Sequence, residues 1–136
     1  MMEYSYVINK DDYANAGKVS TQIKKILKEL GVPPEVLRRM AIACYEAEIN
    51  MIIHSYGGII KLSISDQISF VFKDKGPGIP DINMAMQPGY STADDRAREL
   101  GFGAGMGLAN IKKVSDEFDI ESSVEGTTLN LRFNIL

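Results

Sequence analysis

Several residue types and patterns are scarce in this chain of 136 residues, and each scarcity excludes a class of protein. A single cysteine, Cys44, excludes an intrachain disulfide framework and a cysteine-rich zinc site, and only one histidine is present to support another kind of metal cluster. No apolar run approaches the ~18 residues of a membrane-spanning helix. The 15 basic residues are outnumbered by 18 acidic ones, and the net charge of −3 argues against a dedicated binder of nucleic acids or anionic membranes.

The start of the chain also lacks the basic residues and the apolar run of a signal peptide. The composition, with 45% hydrophobic and 24% charged residues, is ordinary for a globular fold. Because this length suits one domain and leaves little room for two, we expect residues 1–136 to form a single cytoplasmic domain. We expect it to have neither a nucleic-acid nor a membrane partner.

The first part of the chain predicts one strand followed by two helices. Residues 3–8 alternate crudely and predict the strand. Apolar residues at helical spacing follow Asp11–Asp12, which we interpret as the N-cap, and Gly31 suits the C′ position of this first helix. A second helix is expected over 34–54, because Pro34 is tolerated in a first helical turn.

The rest of the chain predicts four strands and a third helix. Residues 60–64 and 68–72 alternate apolar with polar side chains and predict an antiparallel hairpin. Apolar residues within 108–114 mark a helix, and 118–123 and 128–133 predict two final strands. Since most strands can pair with sequence neighbours, we expect an α+β fold, an α/β sandwich whose mixed, largely antiparallel sheet carries its helices on one face.

The second helix carries a polar stripe made of Glu46, Asn50 and His54, each four residues apart. One interpretation is a solvated polar face. In the other, Asn50 supplies an oxygen to a hard cation such as Mg²⁺, and Glu46 polarises a water or a hydroxyl group. His54 is interpreted as a helix-end or packing residue rather than a catalyst.

Two glycine-rich segments follow. The segment Asp74–Pro80 directly follows a predicted strand. It is either a plain tight turn or a loop in which Asp74 accepts a hydrogen bond from an exocyclic amine. Gly101–Gly107 has four alternate glycines and runs into the helix at Leu108. It is either a flexible hinge or a phosphate cradle, because backbone N–H groups and the helix dipole favour anions at such a terminus.

The order and spacing of these segments carry a resemblance that none of them carries alone. Glu46–His54, Asp74–Gly78, Gly101–Gly107 and Gly126–Thr127 resemble the N, G1 and G2 boxes and the terminal Gly-Thr of the GHKL ATPase superfamily, which includes histidine kinases, gyrase and MutL. The resemblance covers residues 35–133 and implies the Bergerat ATP-binding fold, with ATP between the helices.

The resemblance also implies roles for individual residues. Asn50 would hold Mg²⁺, Asp74 would bind the adenine amino group, and Thr127 would support Asp74 through a water. Residues 85–105 would form the ATP lid. The residues implied to contact the nucleotide or its metal are Asn50, Asp74, Gly76, Gly78, Ile79, Gly101, Gly103, Ala104, Gly105, Met106, Gly107, Leu108 and Thr127.

Further segments point to a subfamily. Gln87–Thr92, Gly105–Leu108 and Asp116–Phe118 resemble the bacterial anti-sigma factors and switch-protein serine kinases, and among these the RsbT-like kinases most. That resemblance implies an ATP-dependent serine/threonine kinase and anti-sigma regulator in which Glu46 is the general base. It implies a STAS-domain antagonist as substrate, with a sigma factor or a downstream phosphatase as further partner, and homodimers occur in the family. The alternative is an ATP-binding regulatory module that docks such a partner with little or no kinase activity.

Two features depart from the family pattern. Glu48 lies beside the N box, where it either alters metal binding or faces solvent. The lid is long and charged, and its Arg96 and Arg98 either reach a phosphate or belong to a solvated run of charges.

Overall fold

The computed structural model describes residues 2–79, 82, 86 and 107–135. Three helices and five strands are found there, with a short 3₁₀ turn at Tyr13–Asn15 before the first helix. In chain order they are β1 (Met2–Ile8), α1 (Lys18–Glu29), α2 (Pro34–His54), β2 (Gly58–Ile64), β3 (Gln67–Asp74), α3 (Gly107–Val114), β4 (Glu117–Ser123) and β5 (Gly126–Asn134). The predicted order is confirmed.

The five strands form one sheet in the order β1-β2-β3-β5-β4, and each of the four pairings is antiparallel. The α+β class is therefore confirmed, and the sheet expected to be largely antiparallel is wholly so in the described part of the chain. Asp74 ends the central strand β3, where it pairs with Gly58 of β2. On its other side β3 pairs with β5, and the pair nearest to Asp74 joins Lys73 to Thr128.

The core lies between one face of the sheet and the helices. Alternate residues of each strand point to the helices, as the period of two predicts. The buried apolar side chains that the three central strands contribute are Ile60, Leu62, Ile68, Phe70, Phe72, Leu129, Leu131 and Phe133. Cys44 of α2 is buried among them, and burial raises the pKa of its thiol, so this cysteine is a core residue rather than a reactive one. None of the described helices is apolar over a length that could cross a bilayer.

The N-terminus of α1 is capped from a distant part of the chain, so the prediction that Asp11–Asp12 caps it is wrong. The N-cap position is Gly17, which has no side chain to supply. Glu48 of α2 supplies the acceptor instead. Its carboxylate accepts hydrogen bonds from the backbone N–H groups of Gly17 at 3.1 Å, Val19 at 3.4 Å and Ser20 at 2.8 Å. Glu48 is 1% exposed, which contradicts its interpretation as a solvent-facing residue, and these backbone donors occupy both of its oxygens.

The C-terminal end of α3 is held by Arg39 of α2. Its guanidinium donates to the carbonyl oxygen of Val114 at 2.9 Å and lies 3.4 Å from the carboxylate of Asp116. It also lies over the ring of Phe133, 5.9 Å from the ring centre. A cation near the last carbonyls of a helix is favourable, so this contact fixes α3 against α2.

The C-terminal end of α2 meets the loop that follows β3. The N–H of Tyr56 donates to the carbonyl oxygens of Lys75 and Gly76, and the N–H of Lys75 donates to Gly57. These bonds place the last turns of α2 at the same end of the sheet as Asp74. The polar stripe of α2 and the Asp74 loop are therefore built at one end of the fold.

Candidate functional site

Asp74 is held by a hydrogen-bonded chain that joins β3, β4 and β5. Its carboxylate accepts the backbone N–H of Thr127 at 2.9 Å. The hydroxyl of Thr127 pairs with that of Ser122 at 2.8 Å, and the Ser122 oxygen accepts the N–H of Ile79 at 2.7 Å. The backbone of Thr127 therefore supports Asp74 directly, and the water that the resemblance implies between these two residues stays a prediction. The carboxylate and the loop after it are fixed by the protein itself.

The glycines of that loop are required by the neighbouring β4–β5 turn. Gly78 has φ of +84°, and a Cβ there would collide with the carbonyl oxygen of Ser123. Gly76 donates its N–H to Glu125 at 2.6 Å, and a Cβ on it would collide with the carbonyl oxygen of Val124. The loop therefore packs closely against the β4–β5 turn, and a side chain larger than glycine at either position would push the two segments apart.

Glu46 and Asn50 lie one turn apart on α2 and face the first turn of α3. A Cβ on Gly107 would lie 3.1 Å from both amide atoms of Asn50 and 3.3 Å from Oε2 of Glu46. Asn110 lies one turn further along α3, on the same face of the helix as Gly107. The stripe is therefore half-buried against another helix, so its interpretation as a solvated face is wrong for these two residues.

Burial raises the pKa of both site carboxyls. For Glu46 the side-chain amide of Asn110 stabilises the ionised form and offsets part of the shift. For Asp74 the N–H of Thr127 acts in the same way. In both cases burial is the larger cause, so each ionised carboxylate favours a further donor or cation. Carboxyls perturbed in this way concentrate at functional sites.

The donors at this end of the fold suit a magnesium ion that arrives with phosphates. Within the ranges that the structure describes, no group of three or more His, Cys, Asp or Glu side chains is placed to hold a metal ion. Asn50 offers one amide oxygen beside Gly107. Mg²⁺ prefers oxygen ligands, takes few from the protein, and completes its shell with waters and substrate phosphates. The residues present fit that arrangement.

The remaining predicted positions divide into described and undescribed ones. His54 is the last residue of α2, which confirms its interpretation as a helix-end residue. Leu108 is half-buried and packs on the core. The lid apart from Met86 lies outside the described residues, so the roles of Arg96 and Arg98 stay predictions. The same holds for the phosphate-cradle positions Gly101, Gly103, Ala104, Gly105 and Met106.

Sequence reasoning missed two site residues, Ser122 and Asn110. Ser122 takes the third inward position of β4, after Phe118 and Ile120, so a polar residue breaking an apolar alternation was the available signal. Asn110 lies one helical turn after Gly107, the last glycine of the run, so it shares a helix face with a predicted site residue.

A family model described as a histidine kinase-like ATPase domain matches residues 10–133. The chain therefore belongs to the histidine kinase-like ATPase domain family, and the predicted GHKL resemblance is confirmed. The match contains both the Asp74 network and the Glu46–Asn50 stripe.

Individual relatives give a more specific comparison than the family model does. The chain is 31% identical over 112 residues to the serine/threonine-protein kinase RsbT of Bacillus subtilis, with 78% of each chain covered. It is 30% identical over 135 residues to an anti-sigma F factor of Caldanaerobacter subterraneus, covering 95% of this chain and 89% of that relative. The crystal structure of the RsbU and RsbW domains of Rv1364c from Mycobacterium tuberculosis has a TM-score of 0.64 at 18% identity, over 97% of this chain and 32% of that one. That likeness shows the fold.

Proposed function

We propose that this chain is an ATP-dependent serine/threonine protein kinase of a partner-switching system, acting on a STAS-domain antagonist protein. The observation that carries the proposal is the half-buried carboxylate of Glu46, which α3 holds beside Asn50. A module that only binds ATP has no need of a carboxylate there. The relatives named as RsbT kinase and anti-sigma F factor support the same function.

In this proposal the residues of the site have separate roles in binding ATP and in phosphoryl transfer. Asp74 accepts a hydrogen bond from the adenine amino group, with Thr127 and Ile79 fixing its loop. Mg²⁺, held through Asn50, would neutralise charge on the phosphates. Glu46 accepts the proton of the substrate hydroxyl while that oxygen attacks the γ-phosphorus, a general-base role that contributes about 10²–10⁴-fold in rate.

The partners follow from this chemistry. A phosphate adds about −1.5 to −2 charge at pH 7, which is enough to disrupt a complementary interface. The phosphorylated antagonist would then leave, and the same surface of the kinase would bind a competing partner. The competing partner would be a sigma factor or a downstream phosphatase. A cytoplasmic location, the single domain over residues 1–136 and homodimerisation are further parts of the proposal.

The test separates nucleotide binding from transfer. Binding of ATP with and without Mg²⁺ is measured by calorimetry, and transfer is measured with labelled ATP and STAS-domain proteins from the same genome. Asn50→Ala should abolish the Mg²⁺-dependent part of binding. Glu46→Gln should change the Kd for ATP by less than about threefold and lower transfer at least about 100-fold.

Glu35→Gln is the matched control, because Glu35 lies in the exposed first turn of the same helix. Transfer that Glu46→Gln leaves unchanged would exclude Glu46 as the base. Wild-type protein that binds Mg-ATP and a sigma factor, yet transfers phosphate to no STAS-domain protein, would support the alternative, a regulatory module with little or no kinase activity.

A further inference from the structure

Ser122 joins the two segments that carry the candidate adenine contact. It lies at an inward position of β4, directly opposite Thr127 of β5 in the strand register. Its hydroxyl oxygen lies 2.8 Å from that of Thr127 and accepts the backbone N–H of Ile79 at 2.7 Å. The backbone N–H of Thr127 in turn donates to Asp74 at 2.9 Å. One serine hydroxyl therefore fixes both the loop after β3 and the residue that supports Asp74.

The other partners of the two hydroxyls give the direction of the bond between them. A hydroxyl group donates one hydrogen and accepts at two positions. The N–H of Ile79 can only donate, so Ser122 accepts there, and a hydroxyl that accepts a hydrogen bond becomes a stronger donor. Donation to Thr127 completes a continuous chain from Ile79 through Ser122. In the opposite direction Ser122 would accept twice, and within the described residues it forms no further bond that could take its own hydrogen.

This direction leaves the hydroxyl hydrogen of Thr127 for a ligand. Thr127 is 9% exposed, so bulk water has little access to it. Among the residues that the structure describes, its hydroxyl has Ser122 as its hydrogen-bond partner and no second one. Since a buried donor needs an acceptor, a ligand next to Asp74 would supply it. The site then presents an acceptor, the Asp74 carboxylate, beside a donor, the Thr127 hydroxyl.

We infer that Ser122 is a positioning residue that sets the preference for adenine, because its donation keeps the Thr127 hydroxyl as a donor beside the Asp74 acceptor. The inference rests on the proposed contact between Asp74 and the adenine amino group. Adenine carries that amino donor next to a ring nitrogen that accepts. A 6-oxopurine such as guanine carries the opposite pair, an oxygen acceptor beside a ring N–H donor. The pair that the protein presents therefore matches adenine and meets guanine with like groups, acceptor to acceptor and donor to donor.

The test measures the ratio of the Kd for GTP to the Kd for ATP by calorimetry in the presence of Mg²⁺. Ser122→Ala removes the hydroxyl, so the Thr127 hydroxyl is free to rotate and to accept as readily as it donates. The ratio should fall about 3- to 10-fold, the equivalent of one neutral hydrogen bond. Ser122→Thr retains the hydroxyl and should keep most of the ratio. Ser69→Ala, half-buried on the outward face of β3, should leave both Kd values unchanged.

Two further variants separate a role in specificity from a purely structural one. Thr127→Val keeps the shape of the side chain and the backbone N–H that binds Asp74, but it has no hydroxyl. Its ratio should therefore fall as much as that of Ser122→Ala. If Ser122 acts through Thr127, adding Ser122→Ala to Thr127→Val should lower the ratio no further.

Equal losses of affinity for both nucleotides in Ser122→Ala would overturn the inference and make Ser122 only a support of the loop. An unchanged ratio in Thr127→Val would also overturn it, even if Ser122→Ala does not fold. The measurement depends on binding alone, so it is independent of phosphoryl transfer. A wild type that binds ATP with a preference over GTP but transfers no phosphate would overturn the proposed kinase activity and not this inference.

Discussion

The substitution Asp74→Asn tests the adenine contact with one charge removed and almost no change in volume. One oxygen of Asp74 accepts the N–H of Thr127 at 2.9 Å. In the variant the amide oxygen must take that place, because an amide nitrogen there would set two donors against each other. The NH₂ group then occupies the position of the second oxygen, where the adenine amino group would bind.

The expected loss of affinity follows from the donors involved. A hydrogen bond from a neutral donor to a charged acceptor contributes about 1.5–3 kcal/mol, and the variant replaces it with two facing donors. A loss of about 2–3 kcal/mol corresponds to a Kd for ATP that is about 30- to 150-fold higher. GTP carries an acceptor where ATP carries the amino group, so the variant should also lose most of its preference for ATP over GTP.

Stability should change in the opposite direction. Burial raises the pKa of Asp74 above its unfolded value of about 3.9, so the folded chain binds the proton more tightly than the unfolded chain. The ionised carboxylate therefore destabilises the fold at neutral pH, and this penalty fades as pH falls through the raised pKa and vanishes below about 3.9. Nucleotide-free Asp74→Asn should be more stable than wild type at pH 7, and this advantage should disappear near pH 3.5.

Calorimetry with ATP and GTP and urea unfolding between pH 3.5 and 8 measure these effects, and Asp66→Asn, in the exposed β2–β3 turn, is the control. A Kd for ATP within threefold of wild type would refute the adenine contact. A variant less stable than wild type at pH 7 would refute the argument from burial. Because loss of binding is paired with a gain in stability, unfolding cannot imitate the expected result.

Two further predictions concern the framework and are measured by urea unfolding. Gly78→Ala and Gly31→Ala start from almost equal φ, +84° and +82°, but only Gly78 faces an oxygen, that of Ser123. Gly31→Ala should cost about 1–2 kcal/mol and Gly78→Ala about 1–3 kcal/mol more, and equal costs would contradict the close approach. Glu48→Gln should cost about 1.5–3 kcal/mol by weakening the cap of α1, whereas Glu35→Gln, at a side chain that is itself 67% exposed, should cost under about 1 kcal/mol; similar costs would contradict the capping role.

Local sequence patterns predicted most of the fold because the relevant forces are local. The bounds of α2 agree with the helix that is expected over 34–54 from the position of Pro34. The hairpin of β2 and β3 follows from alternation about a three-residue turn. Periodicity, proline and glycine act within a few residues, so a single sequence reveals them.

Contacts between distant segments escaped the same reasoning. The cap of α1 comes from Glu48, about thirty residues further along the chain. Asp11–Asp12 lie close to the start of the helix in the sequence, and for this reason they were predicted as the cap. The hydroxyl of Ser122 accepts the N–H of Ile79, 43 positions earlier, in the loop that follows β3. No short window of sequence contains both partners of any of these bonds.

Three buried or half-buried carboxylates differ in the hydrogen-bond donors that the protein supplies to each. Glu48 is fully buried, and backbone N–H groups from three residues bind it, so the protein itself completes its hydrogen bonding. Asp74 accepts one backbone N–H, that of Thr127, and burial raises the pKa of both Asp74 and Glu46. Since buried oxygens require partners, a carboxylate that the fold supplies only in part is one that a ligand or a substrate completes. This criterion assigns Glu48 to the cap of α1 and supports the proposed roles of Asp74 and Glu46 in the site.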